Sequence, residues 1–260
     1  MERERLRQFL EFYQDLGIAS LYKREAATEA VLPGVIPAVI HEVIPVVIPE
    51  PVTVMPPTKI PETLLPLAPE GDSLLKISQD IGDCRRCRLC EQRNKIVFGV
   101  GNEQAKLVFV GEGPGADEDA QGIPFVGRAG QLLTQMIEGT AAKEGIPLKR
   151  AGVYIANVVK CRPPENRTPQ PDEMEICGQF LFRQLEVIQP KAICALGSTA
   201  AKAILGTKEG VTKLRGNWHK WRDIPVMVTY HPSYLLRPYN QDAKRESWED
   251  LKKVLHFVYD

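Results

Sequence analysis

What this 260-residue chain lacks narrows it first. It contains no uninterrupted apolar run of about eighteen residues, and its charged start, Met1-Glu-Arg-Glu-Arg5, leads into no apolar stretch of signal-peptide type. No segment therefore reads as a membrane span or a secretion signal, and a soluble, cytoplasmic protein is expected. An excess of one charge is missing too. The formal net charge is zero, although residues 1–71 carry 6 Lys+Arg against 10 Asp+Glu and residues 72–260 carry 27 against 23. The weak basicity of the second part permits nucleic-acid binding without demanding it. No glycine-rich turn is followed by a Walker-type lysine with Ser/Thr, which leaves nucleotide triphosphate chemistry without its usual loop.

Cysteine is present, and it is patterned. Cys84-x2-Cys87 lies some seventy residues before Cys161-x15-Cys177, and without a secretion signal such spacing points to a metal or iron-sulfur site rather than to disulfides. A zinc ribbon would bring two tight Cys-x-x-Cys pairs, whereas the second pair here is spread wide and holds four prolines, so an iron-sulfur centre is favoured over zinc. Cys90 stands at equally good spacing from Cys87 and is an alternative ligand. Cys194, inside the apolar run Ala192-Ile-Cys-Ala-Leu196, reads as core.

Three regions follow from texture. In residues 1–30, Leu6, Phe9, Leu10, Tyr13 and Leu16 recur at helical spacing before Gly17, predicting a short amphipathic helix over 3–16. Residues 31–70 hold ten of the 21 prolines, interleaved with Val and Ile. So much proline excludes helix and interior strand, predicting a semi-rigid or disordered linker whose apolar content suits a groove on the domain or on a protein partner. From residue 71 onward strand and helix signals alternate. Four short apolar runs, 106–111, 153–157, 191–197 and 225–230, read as strands buried on both faces, with helical periodicity over 129–140, 172–188, 198–205 and 244–258. The expected fold is α/β, a three-layer αβα sandwich around a mostly parallel four-stranded sheet.

In such sheets ligands bind beyond the carboxyl ends of the strands, so chemistry is sought there. The first strand runs into Gly111-Glu-Gly-Pro-Gly115, where glycines let main chain approach a ligand and Glu112 offers a carboxylate beside Asp117, Glu118 and Asp119. Those last three also suit an acidic helix start. The second strand ends at Asn157, whose amide both donates and accepts, as reading one edge of a base requires. The fourth ends at His231, which precedes Pro232, Ser233, Leu235, Leu236 and Arg237, and Phe125 sits among small residues where it could stack on a planar ligand. A carboxylate, an amide, an aromatic ring and a histidine are the parts of a nucleobase pocket.

The segments Gly111–Gly115, Pro124-Phe-Val-Gly-Arg-Ala-Gly-Gln131, Asn157-Val-Val-Lys-Cys-Arg-Pro-Pro164 with Asn166-Arg167, and His231-Pro-Ser-Tyr-Leu-Leu-Arg237 resemble family 4 uracil-DNA glycosylase, the iron-sulfur branch of its superfamily. They come in that family's order and span about residues 83–253. The resemblance implies hydrolytic excision of uracil from single- or double-stranded DNA, leaving an abasic site. It implies a [4Fe-4S] cluster on Cys84, Cys87, Cys161 and Cys177. It further implies that Phe125 stacks on the flipped base, that Asn157 bonds its polar edge, and that main chain around Gly113 touches it. His231 faces the leaving group and Glu112 contributes to catalysis, while Glu118 is the candidate for excluding the thymine methyl. Arg128, Lys160, Ser233 and Arg237 are expected on the DNA, with Leu235 or Leu236 as a wedge into the vacated stack. A monomer is expected. The competing reading is a non-turnover uracil-DNA binder or a polymerase-associated DNA-binding module of the same fold.

Overall fold

In a computed structural model of the chain, residues 68–260 are described. The expectations for residues 1–30, and for all but the end of 31–70, fall outside them. Helix α1 (Leu74–Ile81) opens the described part, its start capped by Ser73, whose hydroxyl accepts the Lys76 N–H at 3.2 Å. The cysteine loop follows, then strands β1 (Val100–Gly101) and β2 (Leu107–Gly111), helices α2 (Ala116–Gln121) and α3 (Arg128–Lys143), and β3 (Tyr154–Asn157). Helix α4 (Pro171–Ile188) leads to β4 (Ala192–Leu196), α5 (Gly197–Leu205) and α6 (Val211–Leu214). A hairpin of β5 (Trp218–Trp221) and β6 (Ile224–Thr229), then α7 (Pro232–Leu235) and α8 (Gln241–Tyr259), complete the chain.

The four expected strands form the parallel centre of the sheet in the order β3-β2-β4-β6. The four-stranded expectation needs extending, because β1 pairs antiparallel with β3 at one edge and β5 pairs antiparallel with β6 at the other, giving six strands. Neither edge strand carries the apolar run of a strand buried on both faces. Val100–Gly101 is exposed, and in Trp218-His-Lys-Trp221 only the last residue is buried.

Alternation along the central strands feeds two cores. Val108, Val110, Ala156, Ile193, Ala195 and Val228 face α1, α4 and α5. Leu107, Phe109, Ile155, Cys194 and Met227 face α3 and α8. Every residue of β2, β3 and β4 is buried, which explains their continuous apolar composition. Helices therefore cover both faces, and the expected three-layer αβα arrangement is present. Cys194 lies in the second core with no exposure, as its apolar neighbours required.

The chain crosses from β2 outward to β3 and then back past β2 to β4. The carboxyl ends of β2 and β4 thus flank a reversal of winding direction, the place where open α/β sheets leave a crevice.

Candidate active site and cysteine cavity

A cleft of about 530 Å³ opens at that crevice, and its lining includes Glu112, Gly113, Phe125, Asn157, Leu196 and His231. All four strand ends contribute, so residues more than a hundred positions apart meet because parallel strands end on the same side.

Asn157 terminates β3 directly opposite Gly111 of β2. It is 1% exposed, and its Oδ1 is buried with no hydrogen-bond partner. A buried polar atom left unpaired costs about 1–3 kcal/mol, and one in a cleft wall can be paired by a ligand donor. A Cβ on Gly111 would lie 2.4 Å from Asn157 Oδ1 and 2.6 Å from Phe125 Cζ, so only glycine leaves room for the amide and the ring together.

Phe125 is held in the left-handed region at φ 55° and is nearly fully buried. That backbone is costly for a bulky residue and persists only when its surroundings impose it. Gly130 imposes it from one side, since a Cβ there would stand 1.9 Å from the Phe125 carbonyl oxygen. Arg150 imposes it from another, donating to Pro124 O at 2.8 Å and Thr134 Oγ1 at 3.0 Å. Burial pulls the Arg150 guanidinium below its usual range, as expected for a cation enclosed to brace a loop.

His231 packs on this ring, with centroids 5.6 Å apart and planes tilted by 34°. Its Nδ1 accepts the Ser233 N–H at 3.2 Å and lies 2.8 Å from Ser233 Oγ. An accepting Nδ1 assigns the ring proton of the neutral imidazole to Nε2. Burial pushes the His231 pKa down to about 4, against a smaller opposing pull from Glu118, so the ring is a neutral donor near pH 7. Gly197, at φ 87°, gives the imidazole its space, because a Cβ there would meet His231 Cβ at 3.0 Å.

Glu112 reaches the cleft and accepts a hydrogen bond from the Thr199 hydroxyl at the start of α5. Thr199 is a site residue that sequence reasoning missed, since nothing local marks a contact 87 positions away. Gly113 also lines the cleft, packed so tightly that a Cβ would stand 2.7 Å from Val159 Cγ2. Glu118 lines it as well, but its carboxylate accepts the main-chain N–H groups of Gly115, Val126 and Gly127 at 3.1, 2.9 and 2.9 Å. These bonds tie the glycine turn to the Phe125 loop and fix the Glu118 side chain in the cleft wall.

The residues expected on DNA divide. Arg128, Ser233 and Arg237 are exposed, and Leu236 is half-buried. Leu235 is 1% exposed, so it anchors α7 in the core and cannot be the wedge. Lys160 is likewise corrected. At 1% exposure its ammonium meets no phosphate and instead donates to Asn157 O at 2.9 Å and Gln184 Oε1 at 2.6 Å.

Behind the β3 end lies a second, smaller cavity lined by Cys84, Cys87, Cys161 and Cys177 together with Arg93 and Lys160, whereas Cys90 is not in its wall. Burial raises the thiols, Cys161 to about 12 and Cys177 to about 11. N–H groups surround the sulfurs. The Lys160 main chain donates to Cys177 Sγ at 3.2 Å, and Arg93 Nη1 donates to Cys161 Sγ at 3.5 Å and to Cys84 O at 2.6 Å. Donors to sulfur are what a bound thiolate centre uses to spread its charge, so the residues present fit an iron-sulfur group. Among the described residues no three His, Cys, Asp or Glu side chains stand close enough to share one metal ion.

Residues 98–252 match the family model described as the uracil DNA glycosylase superfamily. The chain belongs to that superfamily, in its type-4 branch. It is 46% identical over 184 residues to a type-4 uracil-DNA glycosylase of Thermotoga maritima, covering 70% of this chain and 93% of the relative. It is 44% identical over 191 residues to the type-4 enzyme of Sulfurisphaera tokodaii, covering 70% and 84%, and 43% identical over 191 residues to that of Archaeoglobus fulgidus, covering 70% and 92%. The residues matched by the family model include the strand ends that build the cleft.

Proposed function

We propose that this uracil-DNA glycosylase, a DNA-repair hydrolase, flips uracil into the cleft between Phe125 and Asn157 and cleaves its N-glycosidic bond with His231 as the donor to the departing base. A base within a duplex lies beyond the reach of such a cleft, so the nucleotide is extruded at a cost of a few kcal/mol, offset by stacking on Phe125 and by polar contacts. The observation that carries the reading is the buried, unpaired Asn157 Oδ1 beside that ring. Uracil N3–H is the donor this oxygen lacks, and uracil O4 accepts from the same amide. Cytosine presents the reverse pair and would leave both groups unsatisfied, a mismatch that rejects a substrate far more strongly than shape does.

As the bond breaks, negative charge collects on uracil O2. A neutral imidazole with its proton on Nε2 stabilises that oxygen without having to lose a proton first, a contact worth about 2.7–4 kcal/mol when held in place beforehand. Glu112, steadied by Thr199, stands at the same cleft to orient water or to balance positive charge on the sugar. Arg128 and Arg237 at the exposed rim meet phosphates, and Leu236 fills the gap left in the stack.

Cys84, Cys87, Cys161 and Cys177 hold a [4Fe-4S] cluster. A single zinc ion needs its sulfurs gathered around one point about 2.3 Å from each, whereas in a cluster each thiolate binds an iron of its own, which suits sulfurs that share a cavity without converging. When bound, the cluster supplies cross-links, tying the loop before β1 to the segment after β3 and to α4. Base hydrolysis moves no electrons. The enzyme acts as a monomer in the cytoplasm, on single- or double-stranded DNA, and residues 1–70 serve a protein partner.

The test is release of free uracil from U·G, U·A and single-stranded oligonucleotides, beside His231→Ala. The expected result is multiple turnover by the natural chain and a fall of about 10²–10³ in the variant's single-turnover rate. Retention of the full rate by the variant removes His231 from the mechanism. Tight DNA binding with no uracil released by the natural chain turns the protein into a binding module.

A further inference from the structure

One buried side chain links the wall of the cysteine cavity to the backbone of the base cleft, and neither chemistry explains it. Lys160 lines the cysteine cavity, yet its ammonium bonds the main-chain carbonyl of Asn157, the residue whose amide faces the cleft. Its other acceptor, Gln184 Oε1, belongs to a side chain with no exposure, whose Nε2 donates to Phe98 O at 3.1 Å and to the Tyr154 hydroxyl at 3.2 Å. The Lys160 main chain is fixed at both ends, its N–H on Cys177 Sγ and its C=O accepting the Val97 N–H at 2.8 Å.

Enclosing an ammonium in protein costs several kcal/mol, and a methionine of similar length would fill the space without that cost. What the apolar chain cannot do is hold a carbonyl oxygen at a set distance. We propose that Lys160 is a positioning residue for base recognition, a buried clamp on the Asn157 carbonyl that keeps the Asn157 amide at the depth and angle where it meets the flipped base. The inference rests on the reading of Asn157 as the base-contacting amide. It makes the cysteine-bearing segment a support of the cleft, because the lysine that sets Asn157 is the neighbour of Cys161 and is held by Cys177.

The closing experiment is a double-mutant cycle in the full chain between Lys160→Met and Asn157→Ala, read by single-turnover excision of uracil. Two further measurements accompany it: affinity for a duplex carrying a stable abasic analogue, and absorbance near 400 nm. K160M is expected to lower excision tenfold or more, with abasic-duplex affinity and absorbance within twofold of the natural chain. The double variant is expected to be no slower than N157A alone, since the clamp has nothing left to position. Multiplying losses overturn the proposal, as does a matching fall in abasic-duplex affinity or the loss of the 400 nm band together with activity, which assigns Lys160 to the cysteine site. If K160M does not fold, Gln184→Met, which removes the second acceptor, runs the same cycle with an expected loss of a few-fold. An N157A variant as active as the natural chain defeats the reading of the cleft itself and is distinguishable from failure of the clamp.

Discussion

The two cavities on either side of the β3 end are built in opposite ways. The base cleft is open, and its central amide oxygen is left without a partner. The cysteine cavity is smaller, and two of its sulfurs, on Cys161 and Cys177, already accept N–H groups from Arg93 and the Lys160 main chain. One arrangement suits a guest that must enter, bind and leave. The other suits a group that stays. An unpaired atom in the wall of an open cleft thus marks a place for a guest, while paired sulfurs mark the scaffold beside it.

The largest expected effect tests the scaffold. Cys161→Ser is expected to abolish absorbance near 400 nm and to cost about 5 kcal/mol, lowering the melting temperature by about 10–20 °C in calorimetry. Unchanged melting would show that the second cavity contributes nothing to the fold.

The neighbours on α7 sharpen the contrast between anchoring and acting. Leu235→Ala removes a fully buried side chain and is expected to cost about 2–5 kcal/mol in denaturant unfolding. Leu236→Ala is expected to cost about 1 kcal/mol or less. Its loss should appear as slower excision from duplex DNA with little change on single strands. Equal stability losses for the pair would erase the distinction.

A smaller effect separates ligand from support. Arg93→Met leaves all four cysteines in place but removes the donor to Cys161 Sγ, and a loss of about 10–100-fold in retention of the iron centre against a chelator is expected. Excision by the fully loaded variant should match the natural rate.

A last effect concerns protons. The folded His231 pKa of about 4 lies below the ordinary value of 6.5, so between those values the unfolded chain binds more protons than the folded one. The stability contributed by a neutral His231 is therefore complete above about pH 6.5, falls as the pH drops toward 4, and levels off below it. His231→Asn should flatten this part of the stability profile, as followed by urea unfolding at stepped pH. A profile identical to that of the natural chain would mean that the ring is not held neutral by burial.

Much of this molecule can be read before folding because the central strands are buried on both faces. Their apolar runs stand out, and the loops after them, at Glu112, Asn157 and His231, are where an α/β sheet keeps its chemistry. What stayed hidden depends on contacts distant in sequence or on direction. A lysine between Val159 and Cys161 reads as surface charge, and only Gln184, 24 positions on, shows why it turns inward. Thr199 and Arg93 find Glu112 and Cys161 across wider gaps of 87 and 68 positions. Leu235 and Leu236 are identical in composition, and a rotation of about 100° along one helical turn decides which is covered. The edge strands were silent because a two-residue pairing and a half-exposed hairpin carry no apolar run.

The pairing of Gly111 with Asn157 has a consequence for attempts to retarget the enzyme. With Asn157 Oδ1 and the Phe125 ring both within 2.6 Å of where a methyl on Gly111 would sit, the slot is gauged by one bare main-chain position wedged between two side chains. Any side chain at Gly111 strikes both, so variants selected for new lesions should keep that glycine and carry changes in the Phe125 loop together with the amide.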